Sequence, residues 1–105
     1  MKVNVQSVNF NVDPELIDFI QARLDKLEHF YDKIIYADVF LKLQNTSDKE
    51  NKITEILLSI PGGDLIVKKT CRKFEEGVDE CIGSLQRQIT KKKAKLIPNR
   101  IKNLN

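Results

Sequence analysis

Apolar residues recur at two different periods along this chain, and each switch of period marks a change of element. Val3 and Val5 alternate with polar neighbours before the pattern shifts to Val8 and Phe10. Such alternation belongs to a strand with one buried face, β1, over residues 2–10, and the change of phase predicts a bulge near Ser7. Asp13, Pro14 and Glu15 then form a helix start: Asp13 can accept from free amides, Pro14 suits the first helical position, and Glu15 faces the positive helix end. Leu16, Ile20, Leu24, Leu27 and Tyr31 follow at spacings of three and four, so an amphipathic helix, α1, is expected to about Tyr31.

From Ile35 to Gln44 the period returns to two, with Ala37, Val39, Leu41 and Leu43 on one side and Asp38, Phe40 and Lys42 on the other. This is β2, closed by the polar stretch Asn45 to Asn51. Ile53 to Pro61 gives β3, with Ile56, Leu58 and Ile60 inward. Gly62 and Gly63 permit the positive φ of a tight reversal, and Leu65 to Cys71 gives β4. Three strands joined by short turns read as an antiparallel meander. The last element, α2, starts near Phe74 beside Glu75 and Glu76 and runs through Val78, Cys81, Ile82, Leu85 and Ile89 toward Leu96. Pro98 blocks further helix, so 98–105 is expected to be a flexible basic tail after a single domain of residues 1–97.

The order β-α-β-β-β-α, with one apolar stripe per helix and one apolar sheet face, has a simple joint solution. It is an α+β fold with a four-stranded sheet and both helices on the same face. The length of 105 residues fits one domain and excludes a two-domain enzyme. A domain of this size builds open binding faces more readily than deep catalytic clefts.

Charge changes the picture more than composition does. Net charge is only +3, but residues 87–105 hold seven Lys and Arg with no acid, which leaves eleven cations against fifteen acids, or −4, for residues 1–86. Basic character concentrated at one end is the usual mark of a polyanion contact. With the core direction of α2 taken from Phe74 and about 100° turned per residue, Arg87, Lys91 and Lys95 share a flank within an arc of about 80°. Their spacing of four residues raises each charge about 6 Å along the axis, close to the step between phosphates on a nucleic-acid strand. A solvated helix face is the bland alternative. The neighbouring Lys92 and Lys93 weigh against it, as does the repulsion of like charges at i, i+4, which an anionic partner relieves. On α1, Arg23 and Lys26, with Lys33 just beyond the helix, extend the patch if the helices lie side by side. Asp25, Glu28 and Asp32 stand near enough to pair with them.

Catalytic chemistry finds no foothold. His29 is the single histidine and has no Ser or Cys nucleophile at motif spacing, and a surface role fits it better. Gly62 and Gly63 do not open a phosphate loop. Cys71 and Cys81 form no CxxC pair and have no His at ligand spacing, so neither zinc nor any other metal or cofactor is expected. Reduced, partly buried thiols fit them better. Phe30, Tyr36 and Phe40 have the chemistry to stack on bases, but without an RNA-recognition aromatic motif, packing in the core or on the sheet face is favoured. No apolar run approaches the length of a bilayer span and no signal-peptide order opens the chain, so a soluble, intracellular protein is expected.

"KLEHFYDKI" at Lys26–Ile34, the Gly62-Gly63 hairpin and "KFEEGVDECIGSLQRQITKKKAKL" at Lys73–Leu96 carry a further signal. In these segments the chain resembles the ribosome hibernation promoting factor and ribosome-associated inhibitor family, also labelled sigma factor modulation proteins, in its short form. The resemblance spans residues 1 to about 97 and implies a fold like that of a double-stranded-RNA-binding domain. It implies docking on the small ribosomal subunit, in the channel of messenger and transfer RNA at the decoding region, which blocks translation and protects idle ribosomes in stationary phase or stress. It carries an RNA-binding role to Arg23, Lys26, Lys33, Arg87, Lys91 and Lys95, and the residues themselves add Lys92 and Lys93. Arg72-Lys73 depart from the acidic residue many members have there, and Val78 replaces a common Ile. A cytoplasmic protein, monomeric off the ribosome and not an enzyme, is implied. Two other readings stay open: a protein-binding regulator of transcription acting through the sheet face, and a general binder of duplex RNA.

Overall fold

The structure, a computed structural model, describes residues 1–8 and 10–96, the last four of these as backbone alone. The elements are β1 (Lys2–Val8), α1 (Pro14–Phe30), β2 (Tyr36–Leu43), β3 (Lys52–Ile60), β4 (Gly63–Cys71) and α2 (Phe74–Leu96). They form one mixed sheet in the order β1-β2-β3-β4. β1 runs parallel to β2, with Lys2 opposite Tyr36 and Val8 opposite Lys42. The remaining pairs are antiparallel, as the meander requires. Ile60 pairs with Gly63 across the Pro61-Gly62 turn, where Gly62 holds φ at 91° and Gly63 at 149°, a region closed to most side chains.

Both helices lie over one face of this sheet. Leu16, Ile20, Leu24 and Leu27 of α1 meet Phe74, Val78, Cys81, Ile82, Leu85 and Ile89 of α2 above Ala37, Val39, Leu41, Ile56 and Leu58 of the strands. Burying these side chains at about 1.5–3 kcal/mol each is the main force that holds helices to sheet. α2 approaches β3 closely at Gly77, where a Cβ would stand 2.7 Å from Thr54 Oγ1.

Two local expectations fail. The phase change after Val5 is not a bulge, since β1 keeps unbroken register to Val8. There the strand ends, and Ser7 Oγ donates to the Phe10 carbonyl at 2.9 Å. Phe10 then stacks on Phe74 with ring centroids 4.8 Å apart. At the start of α1, the Asp13 carboxylate makes no capping bond. The Leu16 amide it would have served donates instead to Asp13's own carbonyl at 3.0 Å.

Candidate nucleic-acid interface

α1 and α2 run in the same direction, because Arg23 lies opposite Asp79 while Phe30, seven residues later, lies by the Gly83–Lys91 stretch. At about 100° per residue, Phe19, Arg23, Lys26 and Phe30 share one face of α1. Arg23 sits with its guanidinium 4.6 Å from the Phe19 ring centroid, and its Nε donates to Asp79 Oδ1 at 2.7 Å. The cation is thus already committed to α2. Lys26 and Lys33 are exposed, the first on α1 and the second in the turn after it, and neither lines the groove described next.

Between the helices runs an open groove of about 510 Å³, lined by Phe30, Gly83, Gln86, Arg87, Thr90 and Lys91. Its floor is low because Gly83 has no side chain. The Arg87 guanidinium lies back over that gap, with Nη1 3.7 Å from where a Gly83 Cβ would be. Arg87 and Lys91 are exposed. Thr90 turns its hydroxyl onto the Gln86 carbonyl at 2.8 Å. Two of the cations expected on the α2 flank therefore border a groove with one aromatic wall.

Lys92 faces elsewhere. It follows Phe74 by eighteen residues, about five full helical turns, and so falls on the sheet-facing side. Its Nζ lies 3.9 Å from where a Cβ would stand on Gly62, in the β3–β4 turn. The side chains of Lys93 and Lys95 and the tail 98–105 lie outside the described residues.

With this geometry in place, comparison with known proteins is decisive. The family model described as sigma 54 modulation protein / S30EA ribosomal protein matches residues 3–97. The chain belongs to this family. A ribosome hibernation promoting factor of Klebsiella oxytoca is 31% identical over 96 residues, 91% of this chain and 97% of that protein. Its Escherichia coli K12 counterpart is 29% identical with the same coverage. A ribosome hibernation promotion factor of Bacillus subtilis is 32% identical over 98 residues, but there the chain spans only 50% of the relative's length. Among solved structures, a ribosomal subunit interface protein from Coxiella burnetii aligns with TM-score 0.79 at 19% identity, covering 90% of this chain and 99% of that one. The Thermus thermophilus Protein Y N-terminal domain aligns at 0.74 and 21% identity, covering 87% and 98%. At these identities the two structures bear on the fold.

Two features of this S30EA family member were not read from its sequence. Thr54, one position inward of Ile56 on the period-two pattern of β3, is fully buried, and its hydroxyl has no hydrogen-bond partner among the described residues. Cys71, Glu76 and Glu80 bring a sulfur and two carboxylates within 4.8 Å of one another. Cys71 donates to Glu80 at 3.4 Å, and burial, then that bond, push its thiol up to about 11. Burial pushes Cys81 up to about 12. Both are therefore protonated thiols at neutral pH, the unreactive form.

Proposed function

We propose that this chain is a ribosome hibernation factor. It binds the small ribosomal subunit in the channel of messenger and transfer RNA at the decoding region, blocks translation, and protects idle ribosomes in stationary phase or stress. The observation that carries the reading is the family match over residues 3–97, together with a relative named ribosome hibernation promoting factor that this chain covers almost end to end. The family consists of binding proteins rather than enzymes. Residues 1–97 act as one ribosome-binding domain, monomeric off the ribosome and cytoplasmic, with 98–105 a basic extension. Among the described residues no helix is long and apolar enough to cross a membrane.

The RNA-facing surface is the α1–α2 side, with Arg87 and Lys91 at its centre, Lys26 and Lys33 beside it, and Lys93 and Lys95 continuing along α2. Arg23 joins it only when released from Asp79, and Lys92 contributes to the general field. Affinity comes mainly from phosphate neutralisation and fit to folded RNA. The test is sedimentation of the chain with purified small subunits across a salt series. Arg87→Glu with Lys91→Glu is expected to abolish most binding and to reduce the slope of log affinity against log salt by about 1.4–1.8. Lys42→Glu with Lys49→Glu, an equal change of charge at exposed positions away from the groove, is expected to weaken binding much less. Equal losses from both pairs would refute the site.

A further inference from the structure

β4 ends the sheet on one side, and no strand among the described residues pairs with its outer edge. Such an edge offers unpaired backbone N–H and C=O groups to any strand that approaches. α2 lies over β3 and β4, so this edge is on the flank remote from α1 and from the groove between the helices. Its residues from Asp64 to Lys68 read Asp-Leu-Ile-Val-Lys, an acid and a base at the two ends of three apolar side chains. Asp64, Ile66 and Lys68 stand at alternate positions and share the sheet face that carries no helix, while Leu65 and Val67 share the helix face. Ile66 is 57% exposed, more than any other large apolar side chain among the described residues. Asp64 and Lys68 are exposed, and neither forms an ion pair among those residues.

That order of residues is self-complementary. When two such strands run antiparallel with Ile66 opposite Ile66, Asp64 of each copy stands opposite Lys68 of the other, and Leu65 opposite Val67. Both free charges meet their opposites, and the apolar centre meets itself. Within each chain Leu57 already stands beside Ile66, so an apolar row Leu57, Ile66, Ile66, Leu57 crosses the join. Glu55 stands beside Lys68 in the same way, which sets that lysine between two carboxylates. A slip of two residues is the smallest that keeps the helices of both copies on one side of the sheet. In either direction it sets Ile66 against Asp64 or Lys68 and loses both ion pairs.

We propose that the β4 edge pairs with a second copy of this chain, antiparallel and with Ile66 opposite Ile66, joining two four-stranded sheets into one of eight strands. The contact is the same patch on both copies, so it closes after two. A lysine on an edge strand ordinarily discourages pairing; here Lys68 admits the one register that brings Asp64 to it. A contact of one strand per copy is small beside the roughly 1,200–2,000 Å² of a stable interface. The free chain is therefore monomeric when dilute and pairs where it is concentrated.

Sedimentation equilibrium of the wild-type chain alone is expected to show the mean mass rising from one chain toward two between about 10 µM and about 1 mM. Asp64→Lys places a lysine opposite Lys68 of the second copy, and Lys68→Asp places an acid opposite Asp64. Each variant by itself is expected to lose about 10-fold or more in association constant. An equimolar mixture of the two restores opposite charges at both ends of the joined strands and is expected to associate as the wild type does. A misfolded variant cannot give that rescue, and circular dichroism and melting of each confirm its fold. A wild-type chain that stays monomeric up to about 1 mM overturns the proposal. So does a single variant that associates as tightly as the wild type, which assigns the contact to another surface. Net charge alone predicts tighter association for Lys68→Asp, since it lowers the charge of a basic chain, and that result refutes the pairing. A mixture no stronger than its components refutes the register. No ribosome enters the experiment, so its outcome leaves the ribosome-binding reading untouched.

Discussion

Arg23 of α1 donates its Nε to Asp79 of α2 at 2.7 Å, across 56 positions of sequence, with its guanidinium over the Phe19 ring. Both partners are partly exposed, at 37% and 51% of their side-chain surface, and an exposed pair of this kind contributes only about 0.2–1 kcal/mol. Asp79 therefore matters more as a competitor for a phosphate than as a clamp.

Asp79→Asn is accordingly expected to leave the melting temperature within a few degrees of wild type and to tighten binding to small subunits several-fold. The freed Arg23 adds one phosphate contact, which steepens the salt slope by about 0.7–0.9. Adding Arg23→Ala is expected to abolish the steeper slope. Titrations at three or more salt concentrations measure it.

Lys91 and Lys92 are neighbours in sequence but face different surroundings. Lys91 lines the groove, and Lys92 lies against the β3–β4 turn. Lys91→Glu is expected to weaken ribosome binding at least several-fold more than Lys92→Glu, although both change the net charge by two. Parallel binding curves at one salt concentration decide it.

Thr54 and Gly77 meet where α2 crosses β3. The buried hydroxyl, without a hydrogen-bond partner among the described residues, costs free energy, so Thr54→Val, nearly the same shape, is expected to stabilise the fold by about 1 kcal/mol. Gly77→Ala places a methyl 2.7 Å from Thr54 Oγ1 and 3.2 Å from its Cβ, and is expected to cost about 1–3 kcal/mol from overpacking. Urea midpoints at constant slope measure both.

The two thiols titrate higher in the fold than in the unfolded chain, where 9.0 is the ordinary value, with Cys71 at about 11 and Cys81 at about 12. Between pH 9 and 11 the unfolded chain sheds thiol protons that the folded one keeps. Stability therefore falls as pH rises through this window, by up to about 1.4 kcal/mol per pH unit for each thiol. Cys71→Ala with Cys81→Ala is expected to flatten that decline while leaving the pH dependence between 6 and 8 unchanged, as urea unfolding at pH 7, 8, 9 and 10 would reveal.

The core was legible because helices and strands write their buried faces at different periods. Leu16, Ile20, Leu24 and Leu27 announce α1, and the alternation through Ala37, Val39 and Leu41 announces β2. What escaped depends on contacts between distant elements. Nothing local in Phe10 indicates that the chain leaves the sheet to stack it on Phe74, and nothing near Arg23 points to Asp79. Lys92 is different. Its distance of eighteen residues from Phe74 placed it on the core side, but reading it as part of a lysine run concealed the helical phase. The groove needed both helices and their common direction, which a single strand of text does not display, although the residues that line it stood in the two segments that most resembled the family.

The parallel helices have a consequence that reaches beyond the surface they form. Glu15 of α1 and Glu75 and Glu76 of α2 occupy the first turns at one end of the molecule, while Lys91 and Lys92 lie in the last turns of α2 at the other. Lys52 and Lys73 stand beside Glu15 and Glu75 and offset them, whereas Arg87 and Lys91 line the groove with no acid among its described lining residues, so positive charge is concentrated toward the far end of α2. In the field of a large polyanion such a body experiences a torque while it is still a Debye length away. It turns basic end foremost before any contact is made, so that a larger fraction of encounters begin in the orientation that docks.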